Sequence, residues 1–314
     1  MDNFWANLPK PFFILAPMEA VTDVVFRHVV IQAGAPDVFF TEFTSTAAFF
    51  SDQGRHSTNS RLEFTDDEQP IVAQIWGNDP EKFEFMAREL KKRGFAGIDI
   101  NMGCPAGDIV KTGGGSGMIR TPETAIQAIQ ATKKAGLPVS VKTRLGYSST
   151  SEWKEWLTIL LKQDIVNLTI HLRTRKEMSK VDAHFEMIPD ILKLRDEIAP
   201  HTLITINGDI RDRTHALELV KKYPGIDGIM IGRGIFHDIR AFDTSTDVSN
   251  SISNIELLKL HLNLFDQHNT DDKRPFDPLK RFFKIYVKGF DGAAELRDQL
   301  MHCKTTDEVR KILG

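Results

Sequence analysis

TLITINGDIRDRTHALELVKKYPGIDGIMIGRG, residues 202–234, holds the pattern that decides the fold. Two short runs rich in β-branched and apolar residues, 202–207 and 227–232, are separated by a helical stretch. Each run ends in polar residues and glycine, Asn207-Gly208-Asp209 and Gly232-Arg233-Gly234. Six more runs of this kind precede them, at 12–17 (FFILAP), 37–42 (DVFFTE), 71–76 (IVAQIW), 97–101 (GIDIN), 139–143 (VSVKT) and 166–171 (VNLTIH). Amphipathic patterns lie between them, such as PEKFEFMARELKKRG (80–94) and PETAIQAIQATKKAG (122–136), each closing on glycine as helix C-termini often do. Strands that alternate with helices predict a parallel sheet, because parallel neighbours need a crossover connection. Eight units in about 225 residues match a TIM (β/α)8 barrel; a doubly wound open sheet is the competing arrangement. The expected organisation is a barrel over 1–236, a polar linker over 237–253 rich in Ser, Thr and Asp, and a small all-α helical domain over 254–314.

In a barrel of this kind the chemistry sits at the C-terminal ends of the strands. Nearly every predicted strand ends there in a polar residue: Met18-Glu19, Glu42, Gln74, Asn101, Lys142, His171, Asn207-Gly208-Asp209 and Gly232-Arg233-Gly234. Singly, each reads as a cap or a hydrogen-bonded structural residue. A barrel without a site has no need of Gln, Lys and His at three strand ends, since each must be paired if buried. The loops after the seventh and eighth strands are the usual phosphate site of the fold, and the glycines with Arg233 suit a phosphorylated ligand; tight turns alone would also use glycine. Gly113-Gly114-Gly115 lacks the spacing of a phosphate loop and reads as a close-approach loop or a plain turn. Lys142 could steady negative charge on a cofactor such as a reduced flavin, or form a Schiff base. Cys104, in a turn between Gly103 and Pro105, could be a nucleophile or a proton donor, while Cys303 is expected to pack on a helix.

These residues resemble the tRNA-dihydrouridine synthase family. APMEAVTD (16–23), DINMGCP (99–105), VKTRLG (141–146), HLRTR (171–175), NGDI (207–210) and MIGRG (230–234) match its motifs in order, and FDPLKRFFKIYVKGFDGAAELRDQL (276–300) is similar to its C-terminal helical domain. The resemblance covers roughly residues 12–310. It implies bound FMN, NADPH as reductant and uridine in tRNA as substrate, reduced at C5–C6 to dihydrouridine. Carried over, Pro17, Met18 and Glu19 would lie along the isoalloxazine, Gln74 and Lys142 would bond its polar edge, and His171 would sit beside it. Asn207, Gly208, Asp209, Gly232 and Arg233 would hold the ribityl phosphate. Cys104 would be the general acid, and Asn101, Arg173 and Arg175 would meet the substrate. The sequence departs from the family pattern at Ala20 and Leu172, where glycine is usual, at Ala106-Gly107-Asp108, where lysines are usual, and at Phe185, near a usual Trp.

An RNA substrate requires basic patches. Lys280, Lys284 and Lys288 recur every four residues, which predicts one face of a helix, with Arg281 beside them and Phe282, Phe283, Ile285 and Val287 turned inward. A second cluster is Arg173, Arg175, Lys176 and Lys180. Solvated surface charge is the plainer reading of both, and the net charge of −3 confines any RNA contact to such patches. The other functional readings are an FMN barrel reductase of a small molecule, similar to dihydroorotate dehydrogenase, and a non-catalytic RNA-binding protein. Two cysteines build no disulfide framework and no CxxC pair suggests zinc, so no metal is expected. No apolar run approaches the roughly 18 residues of a membrane span. The N-terminal stretch lacks a basic start followed by a long apolar region, so no secretory signal is expected, and the two thiols suit a reducing cytoplasm. A monomer is expected.

Overall fold

The computed structural model describes residues 3–244, 252–269 and 274–314. Nine parallel strands form one sheet: β1 (Phe12–Leu15), β2 (Phe39–Phe40), β3 (Thr44–Ser45), β4 (Ile71–Trp76), β5 (Gly97–Met102), β6 (Val139–Arg144), β7 (Asn167–His171), β8 (Leu203–Asn207) and β9 (Gly228–Ile231). The order β1-β9-β8-β7-β6-β5-β4-β2 becomes a ring through the Ile14–Val38 bridge, and β3 is a short extension paired with β4. Eight strands round the ring, with helices between them, make a TIM barrel; the open doubly wound sheet is excluded. Two predicted strands differ: β1 ends at Leu15, two residues short of its run, and the second run is interrupted. The Thr41 amide still donates to the Val72 carbonyl at 3.0 Å, and strand pairing resumes at Thr44, where the Thr41 and Thr44 hydroxyls turn to the Glu42 carbonyl.

Side-chain parity along the strands decides what the site can contain. The indole Nε1 of Trp156, on helix 153–161, donates to Thr143 Oγ1 at 2.9 Å, so Thr143 faces the helical layer. Ser140, Lys142 and Arg144 alternate with it and therefore face the barrel axis. The register pairs Asp99 with Ser140, Asn101 with Lys142, Arg144 with His171, and His171 with Asn207, so the axial face is polar. Ile98, Ile100, Val139, Val141, Leu168, Ile170, Ile204 and Ile206 take the opposite parity and are buried. Trp5, on the short N-terminal turn Phe4–Asn7, packs edge-on against Phe12 at 5.6 Å and Phe40 at 6.5 Å, within a buried cluster with Ile14, Val38, Val72 and Met230.

The described chain divides into two compact units. The first holds the barrel strands, in Met1–Val24, Pro36–Ile210 and Thr214–Gly232; the second comprises Val25–Ala35, Arg211–Arg213 and Arg233–Gly314. The segment expected as a linker, 237–253, falls in the second unit, and its residues 245–251 lie outside the described ones. The C-terminal helices are Asn254–Gln267, Phe283–Tyr286, Ala293–His302 and Thr306–Leu313, with a 3-10 helix at Asp277–Phe282. Inside this unit His261 is fully buried among Phe26, Phe282 and Tyr286, with its Nδ1 2.8 Å from the Tyr286 hydroxyl. Burial pushes its pKa down to about 3. Among the described residues no helix is long and apolar enough to cross a membrane, and no group of three or more His, Cys, Asp or Glu is placed to hold a metal ion.

His261 gives this unit a pH dependence. The unfolded chain binds a proton below about pH 6.5, which the folded unit refuses down to about 3. Stability is therefore lost as pH falls from about 6.5, with a slope approaching 1.4 kcal/mol per pH unit from this residue alone. Urea unfolding followed between pH 7.5 and 5 is expected to show this loss in the parent and a flatter profile in His261→Gln; equal slopes would overturn the assignment.

Candidate active site

The C-terminal ends of the strands carry a buried chain of hydrogen bonds. Ser140 Oγ donates to Asp99 Oδ1 at 2.6 Å, and Gln74 Nε2 donates to Asp99 Oδ2 at 2.7 Å. Asn101 Nδ2 donates to Gln74 Oε1 at 2.9 Å. Asn101 Oδ1 then accepts the backbone amides of Gly103, at 3.1 Å, and Cys104, at 2.9 Å. Gln74, Asn101 and Cys104 are thus brought together across β4 and β5. Burial raises the Asp99 carboxyl to about 6, although Ser140, Gln74 and Lys142 each favour its charged form. Lys142 falls to about 8, chiefly by burial and then through the nearby Arg144 cation, with Asp99 and Cys104 acting the other way. Its side chain keeps some contact with solvent while lying deep among protein atoms. Its ammonium makes no hydrogen bond to another described residue.

Cys104 lies two residues beyond β5 and is half-buried. Burial raises its pKa, against the Ala106 amide, Lys142 and Arg144, so the thiol stays protonated at neutral pH. Three contacts hold its loop besides Asn101. Arg144 Nε donates to the Gly103 carbonyl at 2.8 Å, and Ser116 donates to the Cys104 carbonyl through N, at 3.0 Å, and Oγ, at 2.9 Å. Gly115 explains the glycine cluster: its φ is +55°, and a Cβ there would stand 2.8 Å from the Cys104 carbonyl oxygen. The cluster is a close-approach turn against the cysteine.

The remaining strand ends divide by what they touch. Pro17 and Met18 are half-buried after β1, and Glu19 is exposed, held by Arg61 in a fork of 2.6 and 2.7 Å. Ala20 follows with φ +54°, its amide donating 2.5 Å to Glu42 Oε1. Burial raises the Glu42 pKa, while Arg61 draws it back. His171 is half-buried at the end of β7. Asn207 is buried and donates to the Met230 carbonyl at 2.8 Å. Gly208 has φ +121°, with the position of a Cβ 3.2 Å from Ala183 Cβ, so the turn needs glycine. Asp209 does not present a free charge: its carboxylate accepts from Arg173 Nη2 and from the Ala183 amide. Arg173, expected at the substrate, is 2% exposed and also donates to the Val181 carbonyl. Arg175 is half-buried, Gly232 borders Ala16 and Met18, and Arg233 is exposed at the start of the second unit.

The lysine stripe is corrected. Lys280 falls in the 3-10 helix, Lys284 in the single α-turn, and Lys288 beyond it, next to Gly289 at φ +78°. The 3-10 repeat is three residues, so a spacing of four does not align side chains there. Lys280 pairs with Asp277 at 2.8 Å and Lys288 donates to the His237 carbonyl; Arg281 and Lys284 are exposed. The inward side holds, since Phe282, Phe283, Ile285 and Val287 are all buried. Sequence reading passed over Asp99, Arg61 and Arg144. Asp99 stood in the quoted DINMGCP segment, two residues before Asn101 and so on the same strand face, which was the available signal.

The profile of the dihydrouridine synthase family (Dus) matches residues 14–313. The chain belongs to the dihydrouridine synthase family. It is 59% identical over 312 residues to "Probable tRNA-dihydrouridine synthase 2" of Bacillus subtilis (strain 168), covering 99% of this chain and 96% of that one. It is 60% identical to "Probable tRNA-dihydrouridine synthase" of Staphylococcus epidermidis (strain ATCC 35984), covering 99% and 95%. Among solved structures, the 6-hydroxypseudooxynicotine amine oxidase of Pseudomonas geniculata N1 superposes with a TM-score of 0.54 at 11% identity, over 73% of this chain and 46% of that one, a likeness of fold. Both glycine departures from the family pattern can now be located. Leu172 is fully buried and outside the left-handed region, so it carries no strain there. Ala20 does occupy that region, which costs a non-glycine residue about 1 kcal/mol, and it is exposed. Ala20→Gly is therefore expected to raise stability by up to about 1 kcal/mol, read as an upward shift of the urea midpoint; a downward shift would show that the methyl group contributes more than its strain costs.

Proposed function

We propose that this protein reduces uridine in tRNA to 5,6-dihydrouridine with bound FMN and NADPH. Membership of the dihydrouridine synthase family over 14–313 carries the reading, and the chemistry at Cys104 and Lys142 fits it. Lys142, facing the barrel axis without a hydrogen-bond partner among the described residues, suits the electron-rich edge of a flavin. Gln74 gives one amide N–H to Asp99 and accepts from Asn101, which fixes its orientation and leaves its second N–H for the ring's polar edge. The Gly208 turn and Gly232, after the seventh and eighth barrel strands, suit the cofactor phosphate, with Asn207 bracing the two strands and Arg233 next in the chain. Pro17 and Met18 offer an apolar edge for the ring, while Arg61 fixes Glu19 beside them.

Bound there and reduced by NADPH, FMN supplies the hydride that saturates the uracil C5–C6 bond. The chain's task is to supply the proton at C5. Cys104 fits, because burial keeps its thiol protonated and Asn101, Arg144 and Ser116 fix its backbone. Lys142 and Arg144 both favour the thiolate, so their charges ease the loss of that proton. The uridine must leave its stack to reach this site. Contacts to the RNA backbone are assigned to Arg175, Lys176 and Lys180 in the barrel unit and to Arg281 and Lys284 in the helical unit, all of them half-buried or exposed.

Purified protein is expected to release FMN on denaturation and to oxidise NADPH with turnover that depends on unmodified tRNA. Cys104→Ala should still have its flavin reduced by NADPH but reduce tRNA on the order of 100-fold more slowly. FMN without any response to tRNA would favour a small-molecule reductase, and full tRNA reduction by Cys104→Ala would remove the proton-donor role.

A further inference from the structure

The loops after β5 and β6 border a cavity of about 640 Å³ that the mechanism above does not use. Ile119, Pro122, Trp156 and Ile159 give it an apolar wall, and Arg120 and Tyr147 stand in its lining. The Arg120 guanidinium lies 5.2 Å from the centre of the Tyr147 ring. The Arg175 guanidinium, from the loop after β7, lies 5.2 Å from the same centre. Neither arginine has a carboxylate within ion-pair distance among the described residues, and Arg175 Nε is buried without a hydrogen-bond partner. Glu152 and Glu155 also line the cavity but pair with neither arginine among the described residues, so two cations held at one ring favour an anion that joins them.

The ring that both arginines approach is fixed in advance. The Glu152 carboxylate accepts the amides of Tyr147, at 2.6 Å, Ser148, at 3.1 Å, and Ser149, at 3.0 Å. The Arg175 amide donates to the Gly146 carbonyl at 2.8 Å, and the Lys176 amide to the Tyr147 carbonyl at 2.9 Å, which straps the two loops together. Arg120 ends the 3-10 helix Gly115–Arg120, whose first residues pack on Cys104. One short helix therefore joins the cavity lining to the loop of the proton donor.

We propose that Arg120 and Arg175, gathered at the Tyr147 ring, clamp one phosphodiester of the RNA next to the target uridine, and that the attached nucleoside enters the cavity. The proposal rests on tRNA being the substrate. Guanidinium groups fork onto phosphate oxygens, and an unstacked base needs an apolar wall in place of its lost neighbours. Nothing in the mechanism above requires Arg120, Tyr147 or the cavity.

The test measures the dissociation constant for unmodified tRNA across a salt series, with the melting temperature as a check of folding. Arg120→Gln/Arg175→Gln is expected to bind at least tenfold more weakly, and its log Kd should depend on log salt with a slope reduced by about one. Ile159→Trp, which fills the cavity and leaves both cations, should bind several-fold more weakly with the slope unchanged. Arg120→Lys, which keeps the charge and loses the fork, should keep the slope and weaken binding several-fold; it serves where the double variant fails to fold. Wild-type binding retained by folded variants at an unchanged slope overturns the clamp and leaves the proposed function standing. A wild-type protein that neither binds nor reduces tRNA overturns both.

Discussion

Asn101 Oδ1 accepts two backbone amides at once, and that single oxygen sets the direction of every polar contact beneath it. With its oxygen engaged by Gly103 and Cys104, Asn101 can only donate through Nδ2, so Gln74 must receive on Oε1 and donate through Nε2. Asp99 must then accept from Gln74 while also accepting from Ser140, which calls for a carboxylate. Burial opposes that charge and lifts the carboxyl to about 6. The same burial lowers Lys142 to about 8. Near pH 7 both groups are still mostly charged, and each helps to keep the other so. A buried network of this kind is stable only while every member is satisfied, because in low dielectric an unpaired group is costly.

The parity of the strands makes this arrangement possible. Two residues along β5 bring Asp99 and Asn101 to the same face, and two along β6 bring Ser140, Lys142 and Arg144 to the face they meet. Arg144 reaches further than its neighbours and holds the carbonyls of Gly103, Thr174 and Met178, joining the loop of the cysteine to the loop after β7. The cysteine is thus carried by rigid elements on several sides, with its thiol left half-buried. Positions of this quality come from strands and supporting hydrogen bonds rather than from loops alone.

Local pattern was enough for the barrel and insufficient for the pairing inside it. β4 begins and ends where its apolar run does, β5 to β8 depart from their runs by one residue at one end, and β9 by one at each, because β-branched density and flanking glycine are encoded within a few residues. The interruption at Glu42 had no such signal, since the run 37–42 carries no glycine or proline to mark it. The helix Val24–Gly34 follows β1 in sequence, yet most of it belongs to the second unit, a matter of tertiary packing. Arg173 looked like surface charge and is buried, because its partner Asp209 stands 36 residues away. The lysines at 280, 284 and 288 obeyed the helical spacing, but Pro278, with no amide to donate, opens a 3-10 segment, and Gly289 follows the last of them. Periodicity reports which residues would share a face if the helix formed; it does not report whether the helix forms.

A net charge of −3 and an RNA substrate are compatible once the arginines are sorted by what they touch. Arg61, Arg144, Arg173 and Arg195 are absorbed by carboxylates or carbonyls of their own unit, and these contacts hold loops and strand ends in place. They carry formal charge without offering it to a ligand. Arg120, Arg175, Lys176, Lys180 and Lys284 make no ion pair among the described residues. Four of the five follow barrel strands at the end that carries the cysteine, Arg120 after β5 and Arg175, Lys176 and Lys180 after β7. Summed over the chain, the many surface carboxylates dominate. Within the roughly 8 Å over which charge acts at physiological salt, what a phosphate meets at that face is set by the unspent cations nearby rather than by the total. The acidic remainder then acts against binding anywhere else, so the same composition that argues against RNA in bulk restricts where RNA can sit.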